Sequence, residues 1–252
     1  MDISNCTFSL YFQPIPGIRR AAFEIEDKLK QDGYLAPFQV YPIPDEAPFE
    51  LPRISAATKN GHSTLTVAAQ SAQVQSQYDE NFYKDFKKSL EYSKEKAIGL
   101  FNALSSMDDI LIQFTGLSAQ LLTSATDING SPVNFIEEKY LNVSSKLEMS
   151  DAAMKIVYNV DDNLYLNLEI KKVIMADPIS INIGADSVSV MKQLAQHDEM
   201  LAVSIDFNNR LAFNNAKPEG CDLAIIESFY SRMLAFLDDG LEAFLNDGEV
   251  RF

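Results

Sequence analysis

The residues best suited to chemistry in this chain stand apart from the partners that catalysis needs. His62 follows Asn60-Gly61, a turn dipeptide, and His197 sits in Gln196-His197-Asp198-Glu199. The acids beside His197 favour a protonated imidazole. No ligand at metal spacing accompanies either histidine, so His62 is expected as a solvated turn residue and His197 as a surface helix end or loop. Of the two cysteines, Cys6 falls in a segment expected to be mobile. Cys221 falls just before a predicted helix, whose positive end favours a thiolate. Cys221 is therefore the more reactive candidate, but no Cys-His-Asn pattern supplies a base.

Acid pairs are the next candidates. Asp161-Asp162-Asn163 has the composition of a calcium loop but lacks its later glycine and glutamate. Asp238-Asp239 lies in a predicted helix, where adjacent side chains diverge, so the two do not form an acid/base pair. Gly-rich phosphate loops and a Gly-x-Ser-x-Gly elbow are absent from the sequence. The expectation is a chain without catalytic residues, cofactor or metal.

Charge leaves one positive signal. The 252 residues hold 21 Lys+Arg against 36 Asp+Glu, a net charge of −15. Such a surplus disfavours nucleic acid, whose phosphates need basic surface. Lys84, Lys87, Lys88, Lys94 and Lys96 cluster, but interleaved acids nearly cancel them. From Cys221 to the end, seven acids face two bases. This charge aids solubility, and it also suits a basic protein partner, for which Asp238, Asp239 and Glu242 are the candidate contacts.

Composition bounds the rest. Hydrophobic residues make up 46% of the chain, a globular value that permits a large core. No uncharged apolar run approaches the ~18 residues that span a bilayer. The first residues lack the basic head and apolar stretch of a signal peptide. The reading is a soluble cytoplasmic protein with reduced thiols and no membrane partner.

Hydrophobic period gives the elements. Residues 1–52 hold seven of the ten prolines and one helix, through Ile18, Ala22, Ile25 and Leu29. A hairpin is expected over 53–69, with a type I′ turn at Asn60-Gly61 and a second strand that continues toward Tyr78. A long helix follows, striped by Phe82, Phe86, Leu90, Ala97, Phe101 and Leu104, with Asp79 or Asn81 as its cap. A strand comes next, bulged at Gly116, and then a turn at 129–132. A second hairpin spans 154–170, with further strands at 173–183 and 201–207. A final helix, capped by Asp222, carries Ile226, Phe229, Met233, Leu237, Leu241 and Phe244, and Gly240 weakens it. The chain therefore divides into 1–52, 53–149 and 150–252. Its expected class is α+β, with two antiparallel β units, each followed by a long amphipathic helix packed on one sheet face.

Several segments together resemble a known group. They are Pro14-Ile15-Pro16-Gly17, the run from Pro52-Arg53-Ile54-Ser55 through Asn60-Gly61 to Val67, Ile112 through Leu117, and the Leu201–Asp206 strand with its helix. In this order they resemble the uncharacterised "sporadically distributed" family of bacterial proteins. That family's central strand carries a Gly-Leu-Arg-Tyr-Asn run. Here Gly116-Leu117 is followed by Ser118-Ala119-Gln120, so the arginine and asparagine are missing. The resemblance implies a bacterial origin and a link to mobile or defence genes, and it supplies no site residue.

The functional expectation is a non-enzymatic interaction component: an adaptor, inhibitor, or antitoxin- or immunity-like partner. The alternative is a small-ligand-binding domain with an apolar pocket between sheet and helix. A third reading is an enzyme whose acids converge only on folding.

Overall fold

A computed structural model describes residues 1–128, 130–141, 147, 149–161, 163–176, 197–215 and 221–252. The class is α+β, built on a single nine-stranded sheet. Its strands are β1 (Asp2–Phe12), β2 (Gln39–Val40), β3 (Pro52–Ala57), β4 (Ser63–Ala68), β5 (Ser71–Gln77), β6 (Ile112–Ser124), β7 (Ala153–Val160), β8 (Leu164–Ala176) and β9 (His197–Asn208). The order across the sheet is β2-β3-β4-β5-β1-β6-β9-β8-β7, and every described pairing is antiparallel. One sheet therefore takes in the strands of both expected β units: β1 lies at its centre between β5 and β6, and β6 joins β9.

β1 corrects the reading of the N-terminus as mobile. Cys6, Phe8, Leu10 and Phe12 are buried and alternate with Thr7, Ser9 and Tyr11. A register shift between Ile3 and Asn5 turns Ile3 inward as well, and Ser4 Oγ donates to the Gln120 carbonyl at 3.0 Å. Cys6 is fully buried in this central strand, and desolvation pushes its thiol up to about 12.

The first hairpin forms, but its turn is not type I′. Only Gly61 has positive φ (+74°); Asn60 does not. Asn60 instead spends its side chain on the loop, its Oδ1 accepting from Thr58 Oγ1 at 2.7 Å and from the His62 amide at 3.2 Å. The expected continuous strand to Tyr78 is broken at Ala69-Gln70, where the chain reverses into β5. Gly116 sits in uninterrupted register between β1 and β9, without a bulge.

The longer helices cover one face. A 3-10 turn (Ile18–Ala21) leads into α1 (Ala22–Lys28), and α2 (Phe86–Ser105) lies across β1 and β5. Asp85 caps α2, accepting from the Lys88 amide at 2.9 Å, so neither Asp79 nor Asn81 is the cap and Phe82 precedes the helix. Phe82 and Phe86 are half-buried, whereas Leu90, Ala97, Leu100, Phe101 and Leu104 are in the core. Ser131 caps α3 (Pro132–Tyr140), which packs near β7, β8 and β9. The short α4 (Arg210–Asn214) follows β9.

Asp222 caps α5 (Leu223–Ala235), as its position implies. A π turn (Phe236–Gly240) then leads into α6 (Leu241–Asp247). The apolar stripe includes successive steps of four, which outrun a 3.6-residue turn; the wider π turn keeps Leu237, Leu241 and Phe244 on the core. α2 and α5 also meet each other, with Ser93 Oγ and Tyr230 Oη 2.8 Å apart in the interior. Among the described residues, no helix is long and apolar enough to cross a membrane.

Candidate functional site

The face of the sheet opposite α2 and α5 is polar. Register places Gln75, Thr7, Ser118, Asp206, Asn167 and Val157 in one cross-strand row, from β5 to β7. The next row runs Gln73, Ser9, Gly116, Asn208 and Tyr165. Small and amide side chains in these rows leave a bay of about 540 Å³. Beyond them Tyr11 and Phe114 stack as a pair, centroids 4.4 Å apart and planes 15° from parallel. Arg210 and Asn214 of α4 line one rim, and Lys155 of β7 lines another. Phe213 braces α4 against Phe114, with ring centroids 5.4 Å apart.

The position of α4 is set by Asn209. Its Oδ1 accepts from the Thr115 amide at 2.7 Å, its own amide donates to the Thr115 carbonyl at 3.2 Å, and its Nδ2 donates to Cys221 Sγ at 3.4 Å. β6 and the segment after β9 are thereby fastened at the end of their ladder, where the backbone turns over the bay.

Asp206 is the charged centre of the bay. Its Oδ2 accepts from Asn167 Nδ2 at 2.6 Å and from Asn208 Nδ2 at 2.9 Å. Its Oδ1 accepts no hydrogen bond from a described residue. Desolvation raises the carboxyl above the ordinary carboxylate range, against the two amides and Lys155, which favour the anion. Gly116 makes room beside it: a Cβ there would lie 3.5 Å from Asp206 Oδ1 and 3.2 Å from Asn208 Cβ. The bay lining contains one carboxyl and neither cysteine nor histidine. Such a set can orient a polar ligand and offer it a strong acceptor.

The sequence-predicted residues lie elsewhere. Asp238 and Glu242 are exposed and line a second groove of about 860 Å³, beside Phe86, Leu237, Leu241 and Leu245. Asp239, exposed on the π turn, is not part of that lining. His62 is not a solvated turn residue: it is half-buried, edge-on to Phe82 and 3.7 Å from Asp79 Oδ2. Residue 197 begins β9, paired with Ala176, rather than ending a helix. Cys221 does precede α5, but burial and the adjacent Asp222 raise its thiol rather than lowering it. Asp161 adopts positive φ (52°) and pairs with Arg232; Asp162 lies outside the described residues, as does most of the strand expected at 173–183. Of the lysine cluster, Lys94 pairs with Glu227 and Lys96 donates to the Asp32 carbonyl at 2.6 Å, while Lys84, Lys87 and Lys88 are exposed. Among the described residues, no three His, Cys, Asp or Glu are grouped to hold a metal.

The bay residues had a signal in the sequence. Thr7, Ser9, Ser118, Asn167, Asp206 and Asn208 are the polar halves of alternating strands. Alternation marks them as outward, but only strand order shows that they adjoin.

No protein-family model and no curated protein matches this chain.

Proposed function

We propose that this protein is a non-enzymatic recognition component, acting in a bacterial cytoplasm, that takes a polar ligand into the bay on its open sheet face. One observation carries the reading: Asp206 is half-buried in the bay, with one carboxylate oxygen held by two amides and the other open to the bay beside Gly116 without a described protein partner. The two amides fix the plane of the carboxylate, so its open oxygen is a preset acceptor that an external ligand can take in place of water. The ligand-binding alternative drawn from the sequence is thereby kept, but its pocket moves from beneath the helices to the opposite face. The test is a titration of ¹⁵N-labelled protein with pooled polar metabolites. Amide shifts at Gly116, Asn167, Asp206 and Asn208 that vanish in Asp206→Ala are expected; shifts confined to other surfaces would refute the reading.

A second reading, recognition of a basic protein partner, draws on the acidic groove. Asp2, Asp127, Asp238 and Glu242 line it together with apolar side chains, and Lys84 is the basic side chain in that lining. Rim charge acts mainly on encounter, while buried apolar anchors govern release. With a partner recovered by pull-down, Asp238→Lys with Glu242→Lys is expected to slow association, whereas Asp239→Lys alone is not. Equal effects of all three would return them to the role of solubility charge.

A further inference from the structure

The chemistry of the bay narrows its ligand, on the reading that the bay is a binding site. We propose that it binds a neutral sugar ring, with Asp206 and its flanking amides taking neighbouring hydroxyls and the Tyr11–Phe114 pair taking the ring's C–H face.

The floor consists of groups suited to hydroxyls. Thr7, Ser118, Asp206 and Asn167 are successive members of one cross-strand row. Neighbouring strands lie about 4.8 Å apart, a spacing comparable to that of hydroxyls on alternate carbons of a pyranose ring. Each floor group can accept, and all but the ionised carboxylate can also donate. A sugar hydroxyl has the same double character, so a ring laid over this row finds a partner at each step.

Asp206 supplies the strongest contact. Its Oδ2 is held by Asn167 and Asn208, which fixes the plane of the carboxylate, and Oδ1 is left for the ligand. A hydroxyl donating to a carboxylate forms a charge-assisted bond, about twice as strong as a neutral one. The adjacent hydroxyl can accept from the second hydrogen of an Asn167 or Asn208 amide group. Gly116 leaves the space this requires, because a Cβ there would press on Asn208 Cβ at 3.2 Å and fill the space against Oδ1 at contact distance, 3.5 Å.

Other ligand classes fit less well. Phosphate or carboxylate would meet the Asp206 anion on the floor, while the two cations, Lys155 and Arg210, are exposed at the rim. An apolar ligand would strip water from the hydroxyls and amides and leave them unpaired, which is unfavourable for each. An ammonium would satisfy Asp206 and leave the rest of the row without partners. The aromatic pair favours a ligand with an apolar face as well as hydroxyls: Tyr11 offers an exposed ring, and Phe114, which also carries the Arg210 guanidinium 5.6 Å from its centroid, seats it. With a single carboxyl in the lining, the site binds the sugar and leaves its glycosidic bonds intact.

The test is an array of neutral, sialylated and sulfated glycans. Any glycan retained is then titrated calorimetrically against wild type, Asp206→Ala, Phe114→Ala and Glu138→Ala, a control on α3 beneath the opposite face. Circular dichroism melts confirm that each variant folds. Retention of a neutral glycan is expected, weakened about tenfold or more by Asp206→Ala and by Phe114→Ala and unchanged by Glu138→Ala. Retention of sulfated or sialylated glycans alone, or binding indifferent to Asp206→Ala, would overturn the sugar assignment. If neutral glycans leave the Gly116, Asn167, Asp206 and Asn208 amides unmoved while inorganic phosphate or spermidine shifts them, the sugar is wrong and the bay remains a binding site. If those amides also stay unmoved by phosphate, spermidine and pooled metabolites, both readings fall.

Discussion

Asn167 Nδ2 donates to Asp206 Oδ2 at 2.6 Å, from a position directly opposite across the β8–β9 ladder. That bond and its Asn208 counterpart favour the ionised carboxyl, but burial outweighs them and raises its pKa. The native state therefore holds this proton more tightly than the unfolded chain does. Stability falls as pH rises from the ordinary aspartate value, about 3.9, through the raised native value, and the deficit is constant above it. Asp206→Asn keeps an acceptor for the amides and removes the titration. Its stability is expected to gain on wild type through that window and level off by neutral pH. Urea midpoints across about pH 3 to 8 check this; a difference independent of pH would show that the carboxyl titrates normally.

The aromatic residues flanking and within α2 and α5 should divide sharply. Phe229 is fully buried beneath the sheet, and Phe229→Ala is expected to cost about 3–5 kcal/mol. Phe82 and Phe86 are half-buried at the start of α2, so truncating either should cost less than half as much. Chemical denaturation measures all three. Equal losses would place the start of α2 deeper in the core than its exposure indicates.

Gly240 should show opposed effects. Alanine is the better helix former by up to about 1 kcal/mol, yet a Cβ at residue 240 would lie 2.1 Å from the Arg251 carbonyl oxygen. Gly240→Ala is therefore expected to displace the tail, whose Phe252 ring meets Phe207 edge-on at 5.6 Å. Amide exchange at residues 249–252 reports the release. In a chain truncated after Glu249 the same substitution should cost less, the remaining close approach being Phe236 Cδ2 at 2.9 Å. Equal destabilisation in both backgrounds would mean that the π turn itself requires glycine.

Thiol labelling should separate folding from local opening. Cys6 lies in the central strand with its thiol pushed up to about 12, and Cys221 is partly exposed with its thiol raised less far. At mildly alkaline pH, alkylation of Cys221 is expected to be slow and that of Cys6 to occur only on global unfolding. Mass spectrometry after timed quenching distinguishes the two. Rapid labelling of Cys6 in native buffer would contradict the burial of β1.

Local patterns are set by short-range physics, and there the sequence was decisive. Alternation in residues 154–170 gave β7 and β8 their paired faces, and Asp222 marked the first residue capping α5, because hydrogen-bond geometry and side-chain period act within a few residues. The α+β class followed from strands and helices of those lengths. β1 was legible in the strict alternation from Cys6 to Phe12, but neighbouring prolines masked it. Gly116 and Gly240 read as a bulge and a helix weakener because a glycine's partners across space leave no mark nearby in the chain.

Strand order belonged to the tertiary structure alone. Whether β1 lies beside β6, and β6 beside β9, depends on which apolar faces jointly cover α2 and α5, a choice made over more than a hundred residues of separation. That choice brings Thr7, Ser118, Asp206 and Asn167 into one row and partly buries the Asp206 carboxyl. In sequence, Asp206 is one acid among 36 acidic residues. Desolvation, which sets it apart, arises only when the sheet closes around it.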